Sequence, residues 1–213
     1  MVQRGHPLPT VAEEHFELFQ RYQFTCHRIC KMILSCLSDF CNIAEEDRFE
    51  TFHSDTEGSR SALSFQHHPP SPENGGVGHN AHTDVGTLTL LITKQWGLQV
   101  LSPLTNEWEY VQPRPGYAVV NVGDTLRFLS SLRFRSGLHR VLPIGGKSTV
   151  DRYSTIYFLR AADAATFEAS DGKKLNAEEW FQRKFSAFTR PLEEMRKDGL
   201  AFGGMDKELG VII

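Results

Sequence analysis

The sequence predicts a mainly β fold with flanking helices, arranged around a jelly-roll-like sandwich. Three observations lead there. The hydrophobic period changes from three-and-four to two after about residue 62, and returns to the helical period near Asn176. The β-rich runs between these points are short and separated by Gly, Pro, Asn and Asp at fairly regular intervals. No internal repeat marks a solenoid, and 213 residues suit one domain with a sizeable core.

From about Val11 to Cys41, apolar residues recur at 16, 19, 26, 29, 30, 33, 34, 37 and 40, the spacing of an amphipathic helix, either one long helix or two in succession. Thr10, followed by Glu13 and Glu14, stands where an N-cap would. Cys26, Cys30, Cys36 and Cys41 all fall in this segment, where a disulfide framework tying distant loops has no use. They read as reduced thiols of a cytoplasmic chain. Cys26 and Cys30 are four apart and could share zinc, but no second Cys or His pair stands nearby at zinc-site spacing, so core filling is the better reading.

The polar stretch "HSDTEGSRSA" is a loop. After it come the strand-like runs "LTLLIT", "GLQVL", "WEYVQP", "YAVVNVG", "HRVLPI" and "STIYFLRA". "NVGD", Asn121 to Asp124, reads as a tight turn closing a strand, and Gly97 and Gly116 suit turns that need unusual backbone angles. The segment Asn176 to Phe188, "NAEEWFQRKFSAF", is helical, with Trp180, Phe181, Phe185 and Phe188 as its apolar stripe. The expected layout is one domain over 1–213: a helical segment over 1–50, the sandwich over 60–165 and a second helical segment over 170–213.

The formal net charge is −3, and Lys and Arg are scattered, so nothing favours nucleic acid or an anionic membrane. The N-terminus lacks the charged and apolar regions of a secretory signal, and no apolar run approaches membrane-spanning length. A small-molecule partner is the default.

In "GHNAHTDVGTLTLLI", residues 78–92, His82 and Asp84 are two apart. On a strand they would project from one face and could converge on a metal ion. His139 lies in another strand-like run, "RSGLHRVLP". Two imidazoles and one carboxylate from neighbouring strands can occupy one triangular face of an octahedral metal, leaving positions for substrate and oxygen.

The order "AHTDVGTLTLLI…WGLQVL…WEYVQPRPGYAVVNVGDTLRFLS…RSGLHRVLP…DRYSTIYFL" resembles the isopenicillin N synthase-like family of non-haem Fe(II), 2-oxoglutarate-dependent dioxygenases, densely over roughly residues 60–160. The resemblance implies a double-stranded β-helix of the cupin-like kind, with His82, Asp84 and His139 as the iron ligands. It also implies that Arg152 and Ser154, the family's Arg-x-Ser, anchor the distal carboxylate of 2-oxoglutarate. An i, i+2 pair on a strand agrees, since a guanidinium fork and a hydroxyl can then meet one carboxylate. The implied cofactors are Fe(II), 2-oxoglutarate and O2. The implied reaction is hydroxylation, desaturation or cyclisation of a small molecule of secondary metabolism, with succinate and CO2 released.

"FQHHPPSP" aligns with the family's Asn-Tyr-Tyr-Pro-Pro-Cys-Pro stretch. Here Gln66 replaces Asn, and His68 stands at the second tyrosine, which in many relatives contacts the co-substrate. His68 therefore joins Arg152 and Ser154 as a candidate co-substrate contact. His79, three residues before His82, would face the opposite side of a strand and reads as a loop or partner-facing residue. Pocket residues are expected from the loop between Gln66 and His79, from Leu98 and Val100, from Arg133 to Ser136 and from the C-terminal helical region.

Family members usually carry a further segment before the long helix. The surface it would cover is expected to favour self-association here. Two alternatives stand beside the main reading. One is a 2-oxoglutarate-independent iron oxidase of the isopenicillin N synthase type, in which Arg152 and Ser154 hold a substrate carboxylate. The other is a non-catalytic binding protein on the same fold.

Overall fold

A computed structural model describes residues 9–70, 79–188, 200–203 and 205. Two four-stranded antiparallel sheets form its centre. One consists, in spatial order, of β1 (Ala62–His68), β8 (Arg152–Leu159), β3 (Leu88–Thr93) and β6 (Val119–Val122). The other consists of β2 (His79–His82), β7 (His139–Val141), β4 (Leu98–Leu101) and β5 (Trp108–Tyr110). The chain passes repeatedly between the sheets, which is the jelly roll the sequence predicts. A hairpin of β9 (Thr166–Glu168) and β10 (Lys174–Asn176) stands apart.

The six β-rich runs of the sequence become β3 to β8. β1 and β2 are histidine-rich and poor in β-branched residues, so pairing rather than propensity makes them strands. All seven residues of β1 pair with β8, from Ala62 opposite Phe158 to His68 opposite Arg152.

The N-terminal helical pattern resolves into α1 (Thr10–Glu14) and α2 (Phe16–Phe40), broken at His15. Thr10 is not the cap: Pro9, with φ −56° and ψ 143°, takes that place, and no side chain caps the helix. Proline's fixed φ and missing N–H suit a residue at a helix entrance. α2 buries Cys26, Cys30, Leu34 and Ser38, a fourfold spacing that forms one stripe. The four cysteines are free, with Cys26 and Cys30 packed in the main core as expected. Phe40, predicted on the stripe, is instead 81% exposed at the helix end.

The β1-β8-β3-β6 sheet is covered on one face by α2 and faces a cavity on the other. Leu88, Leu90, Tyr157 and Leu159 pack into the helix-side core, whereas Thr89, Leu91, Ile156 and Phe158 face the cavity. The period of two in these strands is this division.

His53 illustrates how tightly that core is satisfied. It is 1% exposed; its Nδ1–H donates to the Phe49 carbonyl (2.9 Å), and the Thr87 hydroxyl donates to Nε2 (2.7 Å). Burial pushes its pKa down to about 3. The unfolded chain, with an ordinary histidine near 6.5, therefore takes a proton below that pH which the folded protein refuses until pH falls to about 3. Stability should fall by about 1.4 kcal/mol per pH unit across that window from this residue. Urea unfolding between pH 6 and 4 should show a slope that His53→Gln flattens; equal slopes in both proteins would contradict it.

α3 (Asp124–Leu129) follows β6 directly, and α4 (Ala177–Phe188) follows β10. Asn176 opens α4 with a reciprocal cap: its Oδ1 accepts from Glu179 N (2.8 Å), while its own N–H donates to Glu179 Oε2 (2.9 Å). Trp180 is buried against Val85, Phe128, Phe167 and Ala169. No helix among the described residues is long and apolar enough to cross a membrane.

Candidate active site

His82, Asp84 and His139 come together, each offering one ligand atom, with all three atoms within 4.8 Å of one another. The route differs from the expected one. His82 ends β2, and Asp84 lies beyond it in the loop leading to β3, so they do not share a strand face. His139 opens β7 directly opposite His82, with ring centroids 4.3 Å apart. The loop carries the carboxylate round to them: Asp84 Oδ1 is 3.9 Å from His82 Nε2 and 3.8 Å from His139 Nε2.

Hydrogen bonds on the outer side fix what each group presents. His82 Nδ1–H donates to the Asn80 carbonyl (2.7 Å), and His139 Nδ1–H donates to the Gly137 carbonyl (2.9 Å). Both rings therefore turn the Nε2 lone pair inward. Burial, then the proximity of His139, pushes the His82 pKa well below the usual histidine value, so it is neutral and able to act as a ligand at pH 7. Burial works to raise Asp84, but His139 and His82, with hydrogen bonds from Thr89 and Asn121, outweigh it and hold the carboxyl below its usual range. Asn121 Nδ2–H donates to Asp84 Oδ2 (2.6 Å), leaving Oδ1 turned to the histidines.

The sequence alone assigns "NVGD" no chemical role, yet Asn121 orients the carboxylate. Thr89 and Asn121 are register partners on β3 and β6 and reach Asp84 together. A β-carbon on Gly137 would collide with the Asn121 side-chain oxygen, so the glycine makes room for this contact. The available signal was an amide among valines in an apolar run.

A buried ion pair holds the Asp84 loop from behind. Lys184 of α4 pairs with Asp124 and donates to Thr83 Oγ1 (2.6 Å); Lys184, Asp124 and Thr83 are each 0% exposed. Ser136 also donates to Asp124 (2.7 Å), and Asp124 N–H donates to the Asp84 carbonyl (2.8 Å). Lys184→Met would leave a buried carboxylate without its cation, at a cost of about 3–5 kcal/mol. Lys184→Met combined with Asp124→Leu should lose less. Urea denaturation of both variants checks this, and a single variant as stable as wild type would refute it.

The triad opens onto a cavity of about 560 Å³ bordered also by Gln66, Arg152 and Ser154. Arg152 and Ser154 are buried on β8; Arg152 Nη1 and Ser154 Oγ have no partner among the described residues. Arg152 Nε donates to the Trp96 carbonyl (3.3 Å), and Gly97, at φ +129°, leaves space beside it. Leu98, Val100 and the α4 residues Phe185 and Phe188 border the cavity as expected.

Three expectations change. His68 lies opposite Arg152 in register but does not border the cavity; Gln66 is the β1 residue that does. His68 instead meets His79 edge to face at 5.7 Å. His79 does border the cavity, because an irregularity in the β2–β7 register between His79 and His82 breaks the simple alternation. Arg133 to Ser136 lie away from it, with Arg133 on the Cys41 carbonyl and Ser136 on Asp124. The loop between Gln66 and His79, expected to supply pocket residues, falls mainly on residues 71–78, outside those described.

A model of the 2OG-Fe(II) oxygenase superfamily matches residues 60–161. A 2-oxoglutarate-dependent dioxygenase of Gibberella zeae, FG08081, is 49% identical over 203 residues, which are 95% of this chain and 61% of that protein. The 2-oxoglutarate-dependent dioxygenase iboH of Amanita muscaria is 45% identical over 205 residues, covering 95% of this chain and 100% of that protein. The chain thus spans the whole of one relative and 61% of the other. Among solved structures, a full-length Neurospora crassa protein in complex with alpha-KG and thymine is similar with a TM-score of 0.73 at 23% identity, over 88% of this chain and 62% of that one.

Proposed function

Because the chain belongs to the 2OG-Fe(II) oxygenase superfamily, we propose that residues 1–213 form one catalytic domain, an Fe(II)- and 2-oxoglutarate-dependent dioxygenase that hydroxylates, desaturates or cyclises a small organic molecule. The observation that carries this reading is one cavity holding both the triad and two buried, unpartnered donors, Arg152 Nη1 and Ser154 Oγ.

The residues fit the groups the family uses. Two imidazole nitrogens and one carboxylate oxygen are a donor set suited to non-haem Fe(II) with open positions, and His82, Asp84 and His139 would hold it. A guanidinium whose Nη1 has no partner among the described residues, beside a hydroxyl likewise without one, suits a carboxylate, and Arg152 with Ser154 would take the far end of 2-oxoglutarate. When bound, iron and 2-oxoglutarate supply the oxidising chemistry with O2, and the co-substrate leaves as succinate and CO2.

The protein's own part is binding and orientation. Asn80 and Gly137 carbonyls keep the Nδ1 protons on His82 and His139. Asn121 holds one oxygen of Asp84 so that the other faces the histidines. Leu91, Val100 and Ile156 give the cavity apolar walls that limit competing water. His68, whose buried Nε2 has no partner among the described residues, is kept as a candidate co-substrate contact, and Gln66 sits on the wall.

The test is succinate formation from 2-oxoglutarate, dependent on both Fe(II) and O2. Substrate oxidation without succinate would favour the 2-oxoglutarate-independent oxidase, for which the same two donors would serve a substrate carboxylate. Iron uptake without any oxygen consumption would favour a binding protein. We further place the chain in the cytoplasm, without a nucleic-acid partner, and self-associating through exposed Phe24, Met32 and Phe40 of α2. A monomer by light scattering would remove that last element.

A further inference from the structure

Alternate residues of β8 and the position just past it, Arg152, Ser154, Ile156, Phe158 and Arg160, border the cavity. The inward row thus runs from a cation and a hydroxyl, through an apolar middle, to a second cation. Arg160 lies eight residues from Arg152, roughly 26 Å of extended strand. One five-carbon diacid held by Arg152 and the triad does not reach that far.

The Arg160 guanidinium sits among Phe158, Phe181 and Phe185, with ring centroids 5.1, 5.0 and 5.9 Å away. Nη1 donates to the Arg60 carbonyl, and Nε is buried without a partner among the described residues. Among the described residues no carboxylate forms an ion pair with it: Asp84 acts on it only at longer range, and Glu178 is held by Arg60 at 2.5 Å. Burial lowers its pKa to about 10, which leaves it charged at neutral pH. If its only role were to tie β8 to α4 through ring contacts, it would need neither an open side on the cavity nor an unused N–H.

Charge points the same way. With Fe(II) and dianionic 2-oxoglutarate in place, the two arginines and the metal exceed Asp84 and the co-substrate by one positive charge. A cation set in an apolar wall attracts an anion strongly because little water screens it. The guanidinium fork matches a carboxylate.

We propose that Arg160 binds a carboxylate of the primary substrate. The substrate is then a small organic acid whose apolar or aromatic body rests on Phe158, Phe185 and Phe188, with the carbon to be oxidised turned toward His82, Asp84 and His139. This rests on the function proposed above and narrows it to a substrate class.

The experiment uses protein loaded with Mn(II) and 2-oxoglutarate, so that ligands bind without turnover. Affinities are measured calorimetrically for hexanoate, benzoate and 3-phenylpropionate, each against its primary amide. At least one acid should bind about tenfold or more tightly than its amide, the range of a charge-assisted hydrogen bond. Arg160→Met should bring that ratio to about one, and Arg160→Lys, which keeps the cation but not the fork, should retain part of it. No acid preference in wild type, or a preference that survives Arg160→Met, overturns the proposal. Should Arg160→Met fail to fold by circular dichroism, an undiminished ratio in Arg160→Lys overturns the fork, and the wild-type ratio still decides the charge. Titration with 2-oxoglutarate on the same preparations separates the two readings. Failure of wild type to bind it strikes the proposed function, and the acid and amide comparison is then read on the Mn(II) protein alone.

Discussion

Asp84→Ala is expected to weaken Fe(II) binding by more than about a hundredfold, since loss of a mere outer-sphere partner already costs about 10- to 100-fold. The substitution removes the one anion of the triad and leaves two imidazoles as the only protein ligands. His82→Ala should act in the same direction. Neither change should unfold the protein, because the Asp84 backbone carbonyl that receives Asp124 N–H is retained. The Asn121 amide left without its acceptor costs about 1–3 kcal/mol, partly offset by removing a desolvated carboxylate. Anaerobic equilibrium dialysis with Fe(II), beside circular dichroism, is the measurement. Retention of wild-type iron affinity in both variants would end the ligand assignment.

Arg152→Leu should separate co-substrate from metal. Truncating one partner of a buried charge pair costs about 2–5 kcal/mol, so 2-oxoglutarate affinity should fall by roughly 30-fold or more. Iron affinity should change little, because Arg152 does not belong to the triad. The visible charge-transfer band that follows anaerobic addition of 2-oxoglutarate to the Fe(II) protein reports the first effect. The free variant should be no less stable than wild type: in the absence of ligand, Arg152 is a buried cation with an unpartnered Nη1, and burial lowers its pKa. Undiminished 2-oxoglutarate affinity would remove Arg152 from this role.

What was legible in the sequence was local. The order of strands β3 to β8, the α2 stripe and the α4 helix follow from periodicity over a few residues, and the triad follows from residue type and the motifs around it. What was not legible depends on partners far apart in the chain. Asp84 works from a loop because Lys184, a hundred and one positions after the Thr83 it grips, and Asp124, forty positions after Asp84, hold that loop. Asn121 meets Asp84 through a β3–β6 register that no local pattern encodes. His79 borders the cavity because one irregularity in pairing overrides the alternation that predicts the opposite. Arg160 could be read only once β8 was known to continue its inward row beyond its last residue.

One turn of α4 does two jobs. Lys184 anchors the segment that carries Asp84, while Phe185 and Phe188 on the following residues face the substrate space. Displacing this helix to admit a bulkier molecule would also displace the anchor, so the backbone here has little freedom to drift. New specificities in descendants of this chain should therefore arise by exchange of side chains at 185 and 188 with Lys184 unchanged. A directed-evolution library aimed at a new substrate would do best to vary those two positions and leave the helix register alone.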